Sequence, residues 1–148
     1  MGTTTGGLPY PESTDPIAAG ADAIKALALA VDVLEWEKTF TTIVLATGWS
    51  TTTGGYIRTR DGRFLMMRGQ VTRTGADIPA GTATTVATLP AGYRPGAWYR
   101  AVIASGANPW ACRIQISPSD GVMTLSNPML ISTNGYVHLD GIMFTTFA

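Results

Sequence analysis

Two periodicities divide this chain. From Asp15 to Lys38, apolar residues recur at helical spacing. Ile17, Ile24 and Val31 form one seam, Gly20, Leu27 and Leu34 a second, and alanine fills most of the positions between them. Asp15 can cap the N-terminus, and Pro16 suits a first helical turn, where its missing N–H would have no partner. The pattern predicts a helix over 15–38, roughly 35 Å long, with a narrow apolar stripe. Such a stripe packs either on the core of its own domain or on a partner helix. No second helical period follows Lys38, so the expected arrangement is a bundle of copies.

From Thr39 onward β-branched residues enter and the period drops to two, with turn signals at regular spacing, the pattern of a β-sandwich or barrel. Gly54-Gly55 precedes YIRTR, and Asp61-Gly62 divides it from RFLMMRGQV as a hairpin. Residues 82–89 alternate weakly, the segment from Pro90 to Pro95 is a turn-rich link, and WYRAVIA (98–104) is a strand. The cleanest alternation places Trp110, Cys112, Ile114 and Ile116 on one face and Arg113, Gln115 and Ser117 on the other. An Asp120-Gly121 turn, VMTLS, Asn134-Gly135 and YVHLDGIMFTTF complete seven or eight strands, antiparallel by their tight turns. The fold class is mainly β with one N-terminal helix, organised as an arm (1–14), a helical stalk (15–38) and a β head (39–148). Leu8 and Tyr10 are the only large apolar residues of the arm.

Charge sharpens this division. Charged residues make up 14% of the 148 residues, well below the usual quarter, and the net charge is zero. Through Lys38 six acids face two lysines, for a net −4; beyond it eight arginines face Asp61, Asp77, Asp120 and Asp140, for +4, with no Lys and no Glu. That is a thin footprint for nucleic acid. No apolar run reaches the length of a membrane span, and no secretory signal opens the chain. Cys112, the single cysteine, excludes an internal disulfide and a multi-cysteine metal site, and reads as a buried small hydrophobe.

Catalysis needs titratable groups that can be brought together. Asp61 and Asp120 fall in turns, Asp77 in a loop, and the single histidine, His138, shares strand parity with Tyr136 and Asp140. No serine sits in a nucleophile elbow, and no phosphate loop, dinucleotide fingerprint or metal cluster is present, so the chain reads as a non-enzyme without cofactor or metal. The aromatics point elsewhere. Trp98 and Trp110 lie at strand edges beside loops, near Asn108 and Arg113. Flat rings with planar polar groups suit carbohydrate: the ring takes the C–H face of a sugar and the amide or guanidinium its hydroxyls or acidic substituents. The alternative is that these rings fill a core or a subunit interface.

The arrangement resembles a known family. LPYPESTDPIAAGADAIKALALAVD resembles the N-terminal segment of tail-associated fibre proteins of bacteriophages infecting actinobacteria and their relatives. GGYIRTRDGRFLMMRGQVTRTG, TLPAGYRPGA and NGYVHLDGIMFTT look like the C-terminal head domain of phage receptor-binding and tail-fibre proteins. The resemblance implies an antiparallel β-sandwich or jelly-roll-like head on a short trimeric helical stalk, displayed on a virion. It implies an arm that docks to other virion proteins, here with Leu8 and Tyr10, a homotrimer bundled through Ile17, Ile24, Leu27, Val31 and Leu34, and a head that contacts host cell-wall polysaccharide. The trimer belongs to the resemblance, because Ile or Val on one seam with Leu on the other favours two strands. A capsid or tail decoration protein with a purely structural role is the alternative.

Overall fold

The computed structural model describes residues 2–3, 9–10, 17–32, 35–106, 111–126 and 131–146. They fall into two compact units, Met1–Trp36 with Thr59–Asp61, and Glu37–Arg58 with Gly62–Ala148.

In the first unit β1 (Gly2–Thr3) pairs antiparallel with β2 (Pro9–Tyr10), and α1 spans Ile17–Asp32. The helix stops short of the expected Lys38. Trp36 is in a β-bridge with Thr59, and the Glu35 carbonyl accepts the Arg60 amide at 2.8 Å, so the backbone there is committed to extended pairing. Ala23 is fully buried, whereas Ile24 and Val31 of the predicted stripe are 63% and 45% exposed and Leu27 is half-buried. Leu34 lies outside the described residues.

The second unit is built from three antiparallel sheets. Strands β8 (Ala83–Thr88), β11 (Val122–Ser126), β10 (Ala111–Ile116) and β9 (Tyr99–Ala104) form the first, in that order. The second runs β12 (Tyr136–His138), β7 (Gln70–Arg73), β4 (Trp49–Ser50). The third runs β13 (Met143–Thr145), β6 (Phe64–Arg68), β5 (Gly55–Arg58), β3 (Thr41–Thr42). The first two sheets meet along both edges. Ser105 bridges Val137, joining β9 to β12; Leu45 bridges Ala87 and the Ala46 amide donates to the Val86 carbonyl at 2.8 Å, joining the run into β4 to β8. Seven strands thus close into a ring.

Alternation explains the packing. Along β10, Cys112, Ile114 and Ile116 are buried and Arg113 is exposed, as the period-two pattern predicts. Ser117 departs from that pattern: it is buried at the turn, its hydroxyl 3.0 Å from that of Ser119. Opposite β11 the register slips between Met123 and Thr124, leaving Val86 as the extra residue, so Val86 and its neighbour Ala87 are both buried. Inward side chains of all three sheets, including Leu65, Met67, Val71, Leu125, Val137 and Phe144, belong to one core.

Eleven strands occur among the described residues of this unit, against the seven or eight expected. Two are only two residues long, and two long strands of the sequence pattern break in the middle. RFLMMRGQV divides into β6 and β7 at Gly69, whose φ of +89° only glycine adopts easily, and the Leu139 amide donates to its carbonyl at 2.8 Å. The partner strand breaks alongside into β12 and β13. One bent hairpin therefore serves two sheets.

Candidate functional site

Two places on the second unit gather exposed polar and aromatic chemistry. The first is the outer face of β9 and β10. Trp98, just before β9, is 56% exposed, and the Arg100 guanidinium lies 5.7 Å from its ring centroid. Arg100 Nε donates to Gln115 Oε1 at 3.2 Å across the strand pair. Arg113 sits opposite Val102, which is 75% exposed, and these residues border a shallow hollow of about 280 Å³. The alternation that buries Cys112 and Ile114 is what turns Arg113 and Gln115 outward. Trp98 immediately precedes β9 and Arg113 lies on the adjacent β10, opposite Val102; Asn108 and Trp110 lie outside the described residues. Trp49, by contrast, is buried in the core, with Arg73 5.4 Å from its ring and no acceptor for its indole N–H among the described residues.

The second place is a cleft of about 440 Å³ bordered by β3, the turn before β5 and the break between β6 and β7. Its floor is set by hydrogen bonding. Thr51 Oγ1 accepts the Gly54 amide at 2.6 Å and donates to the Gln70 carbonyl at 2.5 Å, while Thr53 Oγ1 accepts the Gln70 amide at 3.2 Å. These bonds tie the threonine turn to the first residue of β7. Asp140 accepts the Gly69 amide at 3.0 Å through Oδ1, and its Oδ2 lies 3.5 Å from His138 Nδ1. On the opposite side Arg68 lies over the ring of Phe40, 3.6 Å from its centroid.

His138 and Tyr136 sit edge to face with ring centroids 5.4 Å apart, and the Ser105 hydroxyl donates to the Tyr136 carbonyl at 3.2 Å. The remaining body aspartates are held in turns. Asp77 accepts the backbone amide and hydroxyl of Thr133 at 2.7 and 3.0 Å, which hold its carboxyl below the usual carboxylate range. A hydroxyl bond from Ser117, then the amide of Val122, act in the same sense on Asp120. No group of three or more metal-ligating side chains occurs among the described residues, and no described helix is long and apolar enough to cross a membrane.

Sequence reasoning missed the cleft. Phe40, Thr52 and Arg68 carried no motif, although the TTTGG run and a glycine inside a strand pattern both mark places where backbones approach closely.

No family model matches the chain, and no curated protein matches it. Solved structures do. The receptor binding protein (gp15) of Listeria phage PSA is 22% identical, with a TM-score of 0.62 over 92% of this chain and 83% of that one. The head domain of lactococcal phage bIL170, described as a receptor binding domain, is 14% identical, with a TM-score of 0.57 over 75% of this chain and 100% of that one. The chain has the fold of a phage receptor-binding head domain, mainly antiparallel β with a single helix.

Proposed function

We propose that this chain is a receptor-binding protein on the surface of a bacteriophage virion. It forms a homotrimer bundled through α1, docks to other virion proteins through the arm that carries Leu8 and Tyr10, and contacts saccharide of the host envelope with its β body. The observation that carries this reading is the fold shared with two phage receptor-binding heads. Two features of the chain support its finer parts. Ile24 and Val31 remain exposed on α1 in a single copy, as a stripe waiting for partner helices would. Trp98 presents an open ring beside Arg100, with Arg113 further along the same pair of strands opposite Val102, and there the C–H face of a sugar can stack while guanidinium groups take its hydroxyls or acidic substituents. The mechanism is avidity: several weak heads on one particle raise the effective concentration at a surface without any new contact.

Native mass spectrometry and host-cell labelling with the intact protein test this reading. A mass of three times the 15.6 kDa chain is expected, reduced to monomer by Ile24→Asp with Leu27→Asp, because unpaired charge would be buried in the seam. The protein should label host cells or their wall polysaccharide, with labelling weakened by Trp98→Ala in a trimer that remains folded. A monomeric wild type overturns the stalk, absence of labelling at high concentration favours a purely structural virion protein, and release of reducing sugar identifies an enzyme.

A further inference from the structure

The cleft between Arg68 and Asp140 is distinct from the Trp98 face, and its unused groups specify a ligand. Arg68 is held in place by the ring of Phe40, yet its guanidinium has no hydrogen-bond acceptor among the described residues. Most other arginines of the body are committed: Arg58 to Glu37, Arg73 to the Gly48 and Ala76 carbonyls, Arg94 to those of Leu89 and Ser119, Arg100 to Gln115. Asp140 lines the same cleft, its side chain 61% exposed, oriented by the Gly69 amide and by His138 but making no ion pair with Arg68. Thr42 and Thr52 add exposed hydroxyls, also without a partner among the described residues, while Thr51 and Thr53 are consumed in shaping the turn.

A cation and an anion that share a cleft without pairing leave a complementary space between them. The fixed fork of an arginine stacked on an aromatic ring matches a planar or tetrahedral oxyanion and binds it through two parallel N–H···O bonds. A carboxylate beside free hydroxyls accepts from the hydroxyl groups of a polyol. The volume falls within the range of small-molecule sites, roughly 300–1,000 Å³. The geometry assigns this cleft to a polyhydroxylated ligand bearing one anionic group, carboxylate or phosphate, with the anion on Arg68 and the hydroxyls on Asp140, Thr42 and Thr52.

The test follows the backbone amides of Gly69 and Thr53 by NMR in the full-length protein titrated with glucose, glucuronate and glucose 6-phosphate. At least one anionic sugar should bind about tenfold more tightly than glucose, a preference that shrinks with added salt. Which anion wins separates carboxylate from phosphate. Arg68→Gln should abolish the preference; it loses the stacking on Phe40 but no hydrogen bond, so the thermal midpoint should fall only slightly. Phe40→Leu, which keeps the charge but frees the guanidinium, should weaken it, and Asp140→Asn should weaken all three sugars. Equal binding of the three, absence of amide shifts at high sugar concentration, or an unchanged preference in Arg68→Gln would overturn the assignment. The Trp98→Ala protein is expected to keep cleft binding, so loss of host labelling there and loss of anion preference in Arg68→Gln fail independently.

Discussion

Gly106 lies flat against the ring of Tyr136: a Cβ added to it would fall 1.7 Å from the ring Cζ, while its amide donates to the Tyr136 carbonyl at 2.9 Å. Both residues sit at the seam where β9 meets β12, beside the bridge between Ser105 and Val137. Gly106→Ala must push the ring or the backbone aside, which costs about 1–3 kcal/mol as overpacking. Urea denaturation should show that loss, and Tyr136→Ala in the same chain should recover part of it, giving a double variant more stable than the two single effects sum to.

Gly69 carries a heavier constraint. Its φ is +89°, and an added Cβ would come 2.2 Å from the backbone oxygen of Thr53, which cannot swing away as a side chain could. Gly69→Ala is expected to lose at least about 3 kcal/mol from combined strain and overlap, read as a lower thermal midpoint. The same substitution disturbs the amide that orients Asp140, so cleft binding should fall with it even where the fold survives.

Cys112 should be silent in the folded protein. Its side chain is almost fully buried and burial pushes its thiol above the ordinary value, opposed only by a hydrogen bond from Ser105. The thiolate is the reactive form. A chromogenic disulfide reagent at neutral pH should therefore titrate one thiol in denaturant and almost none in native buffer; rapid native reaction would show that β10 opens readily.

Acid should weaken the turns before the core. The Thr133 amide, and then its hydroxyl, lower Asp77, and the Ser117 hydroxyl, followed by the Val122 amide, lowers Asp120. A carboxylate lowered by folding stabilises the native state fully above its ordinary value of 3.8, and that contribution fades as pH falls through the lowered value. Asp77→Asn and Asp120→Asn should each lower stability slightly at neutral pH, lose that deficit as pH falls below about 4, and so flatten the acid limb of the stability curve. Both carboxylates are fully exposed, so the effect is modest in size.

How much of this could be read in advance depends on how local each signal is. The face pattern of β10 was legible because Cys112, Ile114 and Ile116 alternate with Arg113 and Gln115 over a few residues. Turns at Asp120-Gly121 and Asn134-Gly135 were legible because Gly121 and Asn134 both take positive φ, which few residues tolerate. The division of one strand pattern at Gly69 was hidden inside an apolar run, and the helix end was missed because Trp36 is held by Thr59, remote in sequence. The cleft was illegible for the same reason: Phe40, Thr52, Arg68 and Asp140 come from four separate segments, and no spacing rule links them. Burial separates Trp49 from Trp98, and only the fold decides it.

The three residues of β12 are a keystone. They lie between β7, to which they are laddered, and the end of β9, to which they are bridged. A chain synthesised only as far as β11 would hold a split ring with the edges of β7 and β9 both bare, a template for pairing with other chains. Completion of the ring thus waits for Tyr136–His138, and truncation just before Tyr136 would turn a closed ring into one with two adhesive edges.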